Sequence, residues 1–573
     1  MINRIAVFHR PMSEYAYGVD EQTLSITVRV GKNNLKACTL FYGDTACRKV
    51  RPDFYGVPMH KAAFDEQFDY YNATFKSRFR RVCYYFKLEA EGETALYYGD
   101  LFYDREVDDR SEYYKLPYNR REDIVHAPDW VKSAVVYNIF PDSFASDKRS
   151  ISGKASRIVN ADGTESKGLL GGTISGIRKN LDYIKSLGFN TVYLNPIFRA
   201  GEYHKYDLID YYSIDPVFGT DGEFKALVDE CHANGMRVII DGVFNHCGWN
   251  FFAFKDVVSK GEKSRYKDWF YELKFPVKIP ETPEEYPDYE CFAYERMMPK
   301  MNTSDKEVED YFVNVGKYWV QKFDIDGWRL DVADEINDSF WRRFNREVKE
   351  IKPSVVLIGE VWQTATHWLD GTIFDSAMNY DFRKHCKLYF AEKSITSEQF
   401  NARVTSMLMR YRKTTVNAQL NLLDSHDVPR FLSLCGDNTD RYKAAVAFLM
   451  AFCGAPSVFY GDEQALTGIK ECEYRRAMKF SHCEMYEFFK RMISIRNEYP
   501  CLADGDYVTE YCENGGLYIF KRKNADCSLR FIFNMSDAPV RIDGKYLKGE
   551  LIFGNNFSDG IANPESFGII REE

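Results

Sequence analysis

Arg237-Val238-Ile239-Ile240-Asp241-Gly242-Val243-Phe244-Asn245-His246 begins as an apolar, β-branched run and ends in polar side chains. A run this short and rich in Val and Ile predicts a buried strand over 237–244. Runs of the same kind stand at Ala134–Phe140, Asn190–Leu194, Ile325–Leu330, Val355–Ile358, Ile373–Ala377, Gln419–Leu423 and Ser457–Tyr460, with amphipathic helical stretches between them. Strands that alternate with helices pair in parallel, and eight of them predict an α/β fold, a TIM (β/α)8 barrel. Plain barrels run to ~250 residues. The excess here is visible at 247–304, rich in Pro, Tyr and Phe and without a helical period, and is read as a lid-like subdomain inserted after the third strand.

The ends of the chain read differently. Leu24-Ser25-Ile26-Thr27-Val28-Arg29-Val30 and Arg81-Val82-Cys83-Tyr84-Tyr85-Phe86-Lys87-Leu88 alternate between Gly, Asn and Asp turns, which predicts an antiparallel β-sandwich over 1–120. Pro117 to Pro128, charged and without apolar period, reads as a linker. Strand patterns return at Leu517–Phe520 and Leu529–Phe533, so 499–573 is a second β-domain, leaving 121–246 and 305–498 to the barrel.

Composition excludes several classes. With 45% hydrophobic and 28% charged residues, the 573-residue chain can bury a full core without disulfides. A net charge of −9 offers no basic footprint for nucleic acid or anionic lipid. The apolar run Ile5 to Phe8 is too short for a secretory signal. Ala444 to Tyr460, the longest uncharged run, is broken by Gly454 and Pro456 and reads as a buried helix followed by a buried strand, not a membrane span. Fourteen cysteines without CxxC spacing point away from a zinc site or a secreted framework and toward a reducing cytoplasm. Aromatic residues make up 16% of the chain; they fill cores, and they also stack on the apolar faces of sugars.

In a TIM barrel the active site lies at the carboxyl ends of the strands. Here these ends read Asp241–His246, Gly327-Trp328-Arg329-Leu330-Asp331, Gly359-Glu360-Val361-Trp362 and Leu422-Leu423-Asp424-Ser425-His426-Asp427. Each taken singly is explained by helix capping. Carboxylates gathered from separate strands of one barrel repel and raise one another's pKa, an arrangement tolerated where a reaction uses it.

These stretches, DGVFNH, GWRLDVADE, GEVW and LLDSHD in order, resemble the four barrel motifs of the α-amylase family of glycoside hydrolases. The segment MPKMN, Met298 to Asn302, is similar to the marker of the neopullulanase, cyclomaltodextrinase and maltogenic amylase branch, and the resemblance extends to a starch-binding-like amino-terminal β-domain. It implies a retaining hydrolase of α-1,4 bonds in cyclodextrins, maltooligosaccharides and pullulan, with Asp331 as nucleophile and Glu360 as acid/base. Asp427 would hold the hydroxyls of the sugar at the −1 subsite and help keep Glu360 protonated. Arg329, two residues before Asp331 and on the same side of the strand, would keep Asp331 ionised. His246 and His426 would donate to sugar hydroxyls, Tyr206 would stack under the −1 ring with His204 nearby, Asp241 would be structural, and Glu335 would line the +1 or +2 side.

Departures from the family pattern bear on ligands. Ser146-Asp147-Lys148-Arg149 and Gly171-Gly172-Thr173 stand where the family's calcium loop is rich in Asn and Asp, so no cofactor is expected and calcium is disfavoured. Gln363 follows Trp362 where relatives often have His. The implied partners are α-glucan oligosaccharides and a second copy of the chain, a homodimer in which the amino-terminal domain of one subunit narrows the other's cleft. Two alternatives stay open: an α-glucan transglycosylase or branching enzyme on the same scaffold, and a non-catalytic glucan-binding homologue, which the three carboxylates disfavour.

Overall fold

The computed structural model describes residues 1–147, 169–282, 285–513 and 515–572, with the backbone of 157–159 and 165–167. Eight parallel strands close into a barrel: β1 (Val136–Ile139), β2 (Thr191–Leu194), β3 (Arg237–Gly242), β4 (Gly327–Leu330), β5 (Val356–Gly359), β6 (Ser376–Asn379), β7 (Leu420–Leu422) and β8 (Ala455–Phe459). Strand β8 pairs back with β1 through Val136 and Ser457. Every residue of β4 and β5 is buried, as uninterrupted apolar runs require when helices cover the outside. Gly359 closes β5 because a Cβ there would lie 2.6 Å from the Phe374 ring.

Seven of the strands fall on the runs that predict them, and β6 is displaced, beginning at Ser376 where Ile373 was expected. Ile373 and Phe374 are buried but lie in the approach to the strand, where the Phe374 N–H bonds Trp368 O. Hydrophobicity marks burial there, not pairing. Helix Thr439–Ala451 and strand β8 match the reading of Ala444 to Tyr460 as a buried helix and strand. Among the described residues no helix is long and apolar enough to cross a membrane.

The inserted segment 247–304 contains a helix, Phe252–Lys260, against the expectation of no helical period. Its buried face is only Ala253, Phe254 and Val257, too short a stripe to stand out among the flanking aromatics. A second excursion, absent from the sequence reading, follows β2: the hairpin strands Phe198–Ala200 and Leu208–Ile214 hold the loop carrying His204 and Tyr206.

Residues 128–383 and 418–499 form one compact unit; residues 1–127, 384–417 and 500–573 form another. Within the latter, strands between Ala16 and Leu116 pair antiparallel, and Tyr55–Phe64 joins the halves by pairing with both Phe68–Lys76 and Ala37–Asp44. Leu24, Ile26 and Val28 share one core with Tyr84, Phe86 and Leu88. His9 is buried in that core, bonded to Thr27 O at 2.7 Å and to the Tyr84 hydroxyl at 2.8 Å. Segment 384–417 groups with the terminal β-domains through specific bonds: Asn401 and Thr405 donate to Phe64 O, Ser397 to Cys512 O and Tyr389 to Gly516 O. Residues 506–571 form a six-stranded antiparallel sheet.

Candidate active site

Parallel register sets the centre of the site. Asp241 on β3 lies opposite Arg329 on β4, and Leu330 on β4 lies opposite Gly359 on β5, so the side chains of 241, 329, 331 and 360 converge at neighbouring strand ends. Arg329 is fully buried. Its Nη1 donates to Asp331 Oδ1 at 2.8 Å and to Asp241 Oδ1 at 2.9 Å, and its Nη2 stands 2.6 Å from Glu360 Oε1, off the N–H direction. Asp427, on the loop after β7, approaches the same Nη2 at 3.9 Å. Four carboxylates therefore surround one guanidinium, whose planar fork reaches several acceptors at once.

Burial and proximity set the protonation. Burial and the neighbouring Glu360 raise the pKa of Asp331, against the expectation that Arg329 alone keeps it ionised; the bond from Arg329 Nη1 to Asp331 Oδ1 opposes that rise and favours leaving the pair's one proton on Glu360. Burial also raises that of Glu360; Arg329 opposes the rise and Asp427 adds to it. Burial alone would raise Asp427 too, but His426, Arg329 and Arg475 outweigh it and hold that carboxyl well below the usual carboxylate range. Asp427 is thus the fixed anion, and repulsion between Asp331 and Glu360 favours one proton on that pair.

Around this core stand the predicted ring and histidine residues. Tyr206 and His426 are stacked, with centroids 5.5 Å apart and planes 6° apart, and the Tyr206 hydroxyl donates to Asp241 Oδ2 at 3.0 Å. Asn195 Nδ2 lies 2.8 Å from His426 Nδ1, and His426 Nε2 lies 2.9 Å from Asp427 Oδ2. His204 accepts the Tyr206 N–H at 3.0 Å, and burial lowers its pKa to about 4. His246 is lowered to about 3 by burial, with Lys300 and His204 adding to the effect, so it is neutral at ordinary pH. Its ring stacks on Phe292, and its Nε2 is buried with no hydrogen-bond partner among the described residues. Glu335 is half-exposed and pairs with Lys300 at 2.8 Å, beside a cavity of about 450 Å³ lined also by Tyr286, Glu290 and Tyr294.

Sequence reasoning missed three features. Arg475 is buried over the Phe140 ring, donates to His426 O at 2.7 Å and to the Tyr203 hydroxyl at 2.9 Å, and stands 3.5 Å from Asp427 Oδ1. It follows β8 in a charged stretch with no motif, so nothing local marked it. Trp362 stacks on Tyr380 at 3.9 Å and donates to Glu360 Oε1 at 3.2 Å. Asn195, the polar residue ending β2, obeys the strand-end rule that found the others and was passed over.

The described calcium-loop positions are engaged in other contacts. Lys179 Nζ donates to Asp147 O at 3.0 Å and lies 3.7 Å from its carboxylate, while the Thr173 hydroxyl caps helix Ile174–Lys179 by accepting the Gly176 N–H. An ammonium and a helix cap are poor substitutes for a cage of oxygen ligands. Lys148 and Arg149 lie outside the described residues. Among the described residues no group of three or more His, Cys, Asp or Glu could hold a metal ion.

Comparison with known proteins agrees with this geometry. Residues 138–485 match the α-amylase catalytic domain and residues 1–120 the α-amylase N-terminal ig-like domain. The chain is 38% identical to a cyclomaltodextrinase of Geobacillus thermopakistaniensis, over 96% of this chain and 95% of that one. It is 37% identical to neopullulanase 2 of Thermoactinomyces vulgaris, over 92% and 90% of the two chains. A solved cyclomaltodextrinase structure superposes with a TM-score of 0.89 at 31% identity, covering 100% of both chains. A barrel whose strand ends gather carboxylates around Arg329, matched over nearly its whole length by such relatives, belongs to the α-amylase family of glycoside hydrolases, in the branch it shares with cyclomaltodextrinases and neopullulanases.

Proposed function

We propose that this hydrolase cleaves α-1,4 bonds in cyclodextrins, maltooligosaccharides and pullulan by double displacement. The observation that carries the assignment is Arg329, which bonds Asp331 Oδ1 while facing Glu360. Asp331 attacks the anomeric carbon through Oδ2, the oxygen not bonded to Arg329. As the glycosidic C–O bond breaks, its electron pair goes to the leaving oxygen, which takes the proton of Glu360; Glu360 then deprotonates the water that releases the sugar. Asp427 accepts hydroxyl protons of the −1 sugar, positioned from behind by His426 and Arg475. His246 Nε2 meets a hydroxyl of the same sugar, and Tyr206 presents its ring beneath it. Glu335 and the cavity beside it take the leaving chain. Proton NMR of the first product tests the mechanism: the α anomer is expected, and an initial β anomer would overturn it.

The same reading extends to setting and assembly. The fourteen free cysteines support a cytoplasmic location. The ig-like domain, with Met1, Ile5 and Met12 exposed as large apolar side chains, supports a homodimer through residues 1–120. Lys179 and Thr173, occupied as described, support activity without calcium.

A further inference from the structure

Asp424, three residues before Asp427, and Asp462, after β8, are both buried beside the fully buried guanidinium of Arg430. Arg430 Nη1 donates to Asp462 Oδ1 at 2.9 Å, and the Phe431 N–H donates to Asp424 Oδ2 at 2.7 Å. The other oxygen, Asp424 Oδ1, is buried with no hydrogen-bond partner of the ordinary kind among the described residues, yet the Asp462 carboxyl stands within hydrogen-bond reach of Asp424. Two carboxyl groups bond only through a proton. Burial and Asp424 raise the pKa of Asp462 against the pull of Arg430, which is consistent with a proton held there. The neighbouring groups do not replace it. Arg383 faces Asp424 from helix Tyr380–Cys386, but its buried Nε is unpartnered among the described residues; Tyr442 lies beside the pair on helix Thr439–Ala451; and Glu463 is turned away, taking the hydroxyls of Tyr137 at 2.8 Å and Tyr183 at 2.9 Å.

The cluster ties together two segments of the site. The bond between Asp424 and Phe431 closes a loop that carries Ser425, His426 and Asp427. Arg430 fastens the second segment: its N–H bonds Gly468 O at 2.9 Å and its Nε bonds Tyr474 O at 3.0 Å, next to Arg475, which stands behind Asp427. We infer that Asp424 and Asp462 are positioning residues that share one proton, and that this bridge fixes the two segments which present Asp427 to the −1 sugar. The inference rests on the reading that Asp427 holds the hydroxyls of that sugar.

The test compares the full-length wild type with Asp424→Asn, Asp462→Asn and the double variant, each with a melting curve and with kcat on maltotriose as a function of pH. In Asp462→Asn the amide accepts from Arg430 and donates to Asp424; in Asp424→Asn it accepts from Phe431 and donates to an ionised Asp462. In the double variant the two NH2 groups face each other with no acceptor between them. Each single variant should keep kcat within about threefold of the wild type, and the double should lose about ten- to hundredfold, the range for one hydrogen bond to a charged group. The alkaline limb of the double should also move to lower pH, because a displaced Asp427 no longer raises the pKa of Glu360. The other groups facing Glu360 are Arg329 and Asp331 from β4, Asp241 from β3 and Tyr380 after β6, and none is substituted. Asp462→Ser, too short to complete the bridge, carries the pH measurement if the double variant does not fold. Single losses that multiply to the loss of the double would overturn the shared proton, and an unmoved limb would overturn the positioning role. Asp427→Asn separates the underlying reading: a large loss of kcat supports Asp427 at the −1 sugar, whereas kcat near that of the wild type removes it whatever the pair does.

Discussion

Arg329 and Asp331, two residues apart on one strand, are bonded at 2.8 Å where neither is open to solvent. The same guanidinium also bonds Asp241 and faces Glu360, so its removal would leave several buried carboxylates uncompensated. Arg329→Lys keeps a charge but replaces the fork by a point donor. Its kcat should fall by about two orders of magnitude or more, as when a donor to developing charge is lost. Arg329→Ala should in addition destabilise the fold by roughly 3–5 kcal/mol, the cost of breaking a buried pair. Steady-state kinetics and denaturant titration measure both, and near-normal kcat in Arg329→Lys would contradict the role.

His9 gives a pH signature separate from catalysis. Burial lowers its pKa to about 4, against the bonds to Thr27 and the charge of Asp100. The unfolded chain therefore binds this proton first, and the histidine's contribution is intact above pH ~6.5 and lost as pH falls toward the folded value. Against His9→Gln, the wild type's stability advantage should shrink by about 1.4 kcal/mol per pH unit between ~6.5 and ~4. Parallel curves for the two proteins would show that His9 titrates normally.

Dialysis against a chelator should leave rate and melting temperature unchanged, given the Lys179 ammonium at Asp147 and the capping role of Thr173. A large loss that calcium restores would mean that the loop binds the ion despite these residues.

The barrel was legible because fully buried parallel strands leave continuous apolar runs, and the catalytic candidates because strand ends bearing carboxylates have few structural reasons to cluster. Ile373 and Phe374 misled because burial without pairing looks like a strand. Arg475 was invisible because its partners Asp427, His426 and Tyr203 are remote in sequence.

Sedimentation velocity on the full-length chain should give a dimer at micromolar concentration, from the amino-terminal domain and its exposed Met1, Ile5 and Met12. A monomer would refute the assembly and leave the catalytic assignment standing.

The central claim is that Asp331 is the nucleophile and Glu360 its proton donor. Asp331→Gly assayed with azide on α-maltosyl fluoride, with the product's anomeric configuration read by NMR, tests it most directly. The variant should be almost inactive alone and regain turnover with azide, which enters the space left by the carboxylate and yields the inverted β-maltosyl azide. Undiminished activity without azide, or an azide product of retained α configuration, would contradict the account.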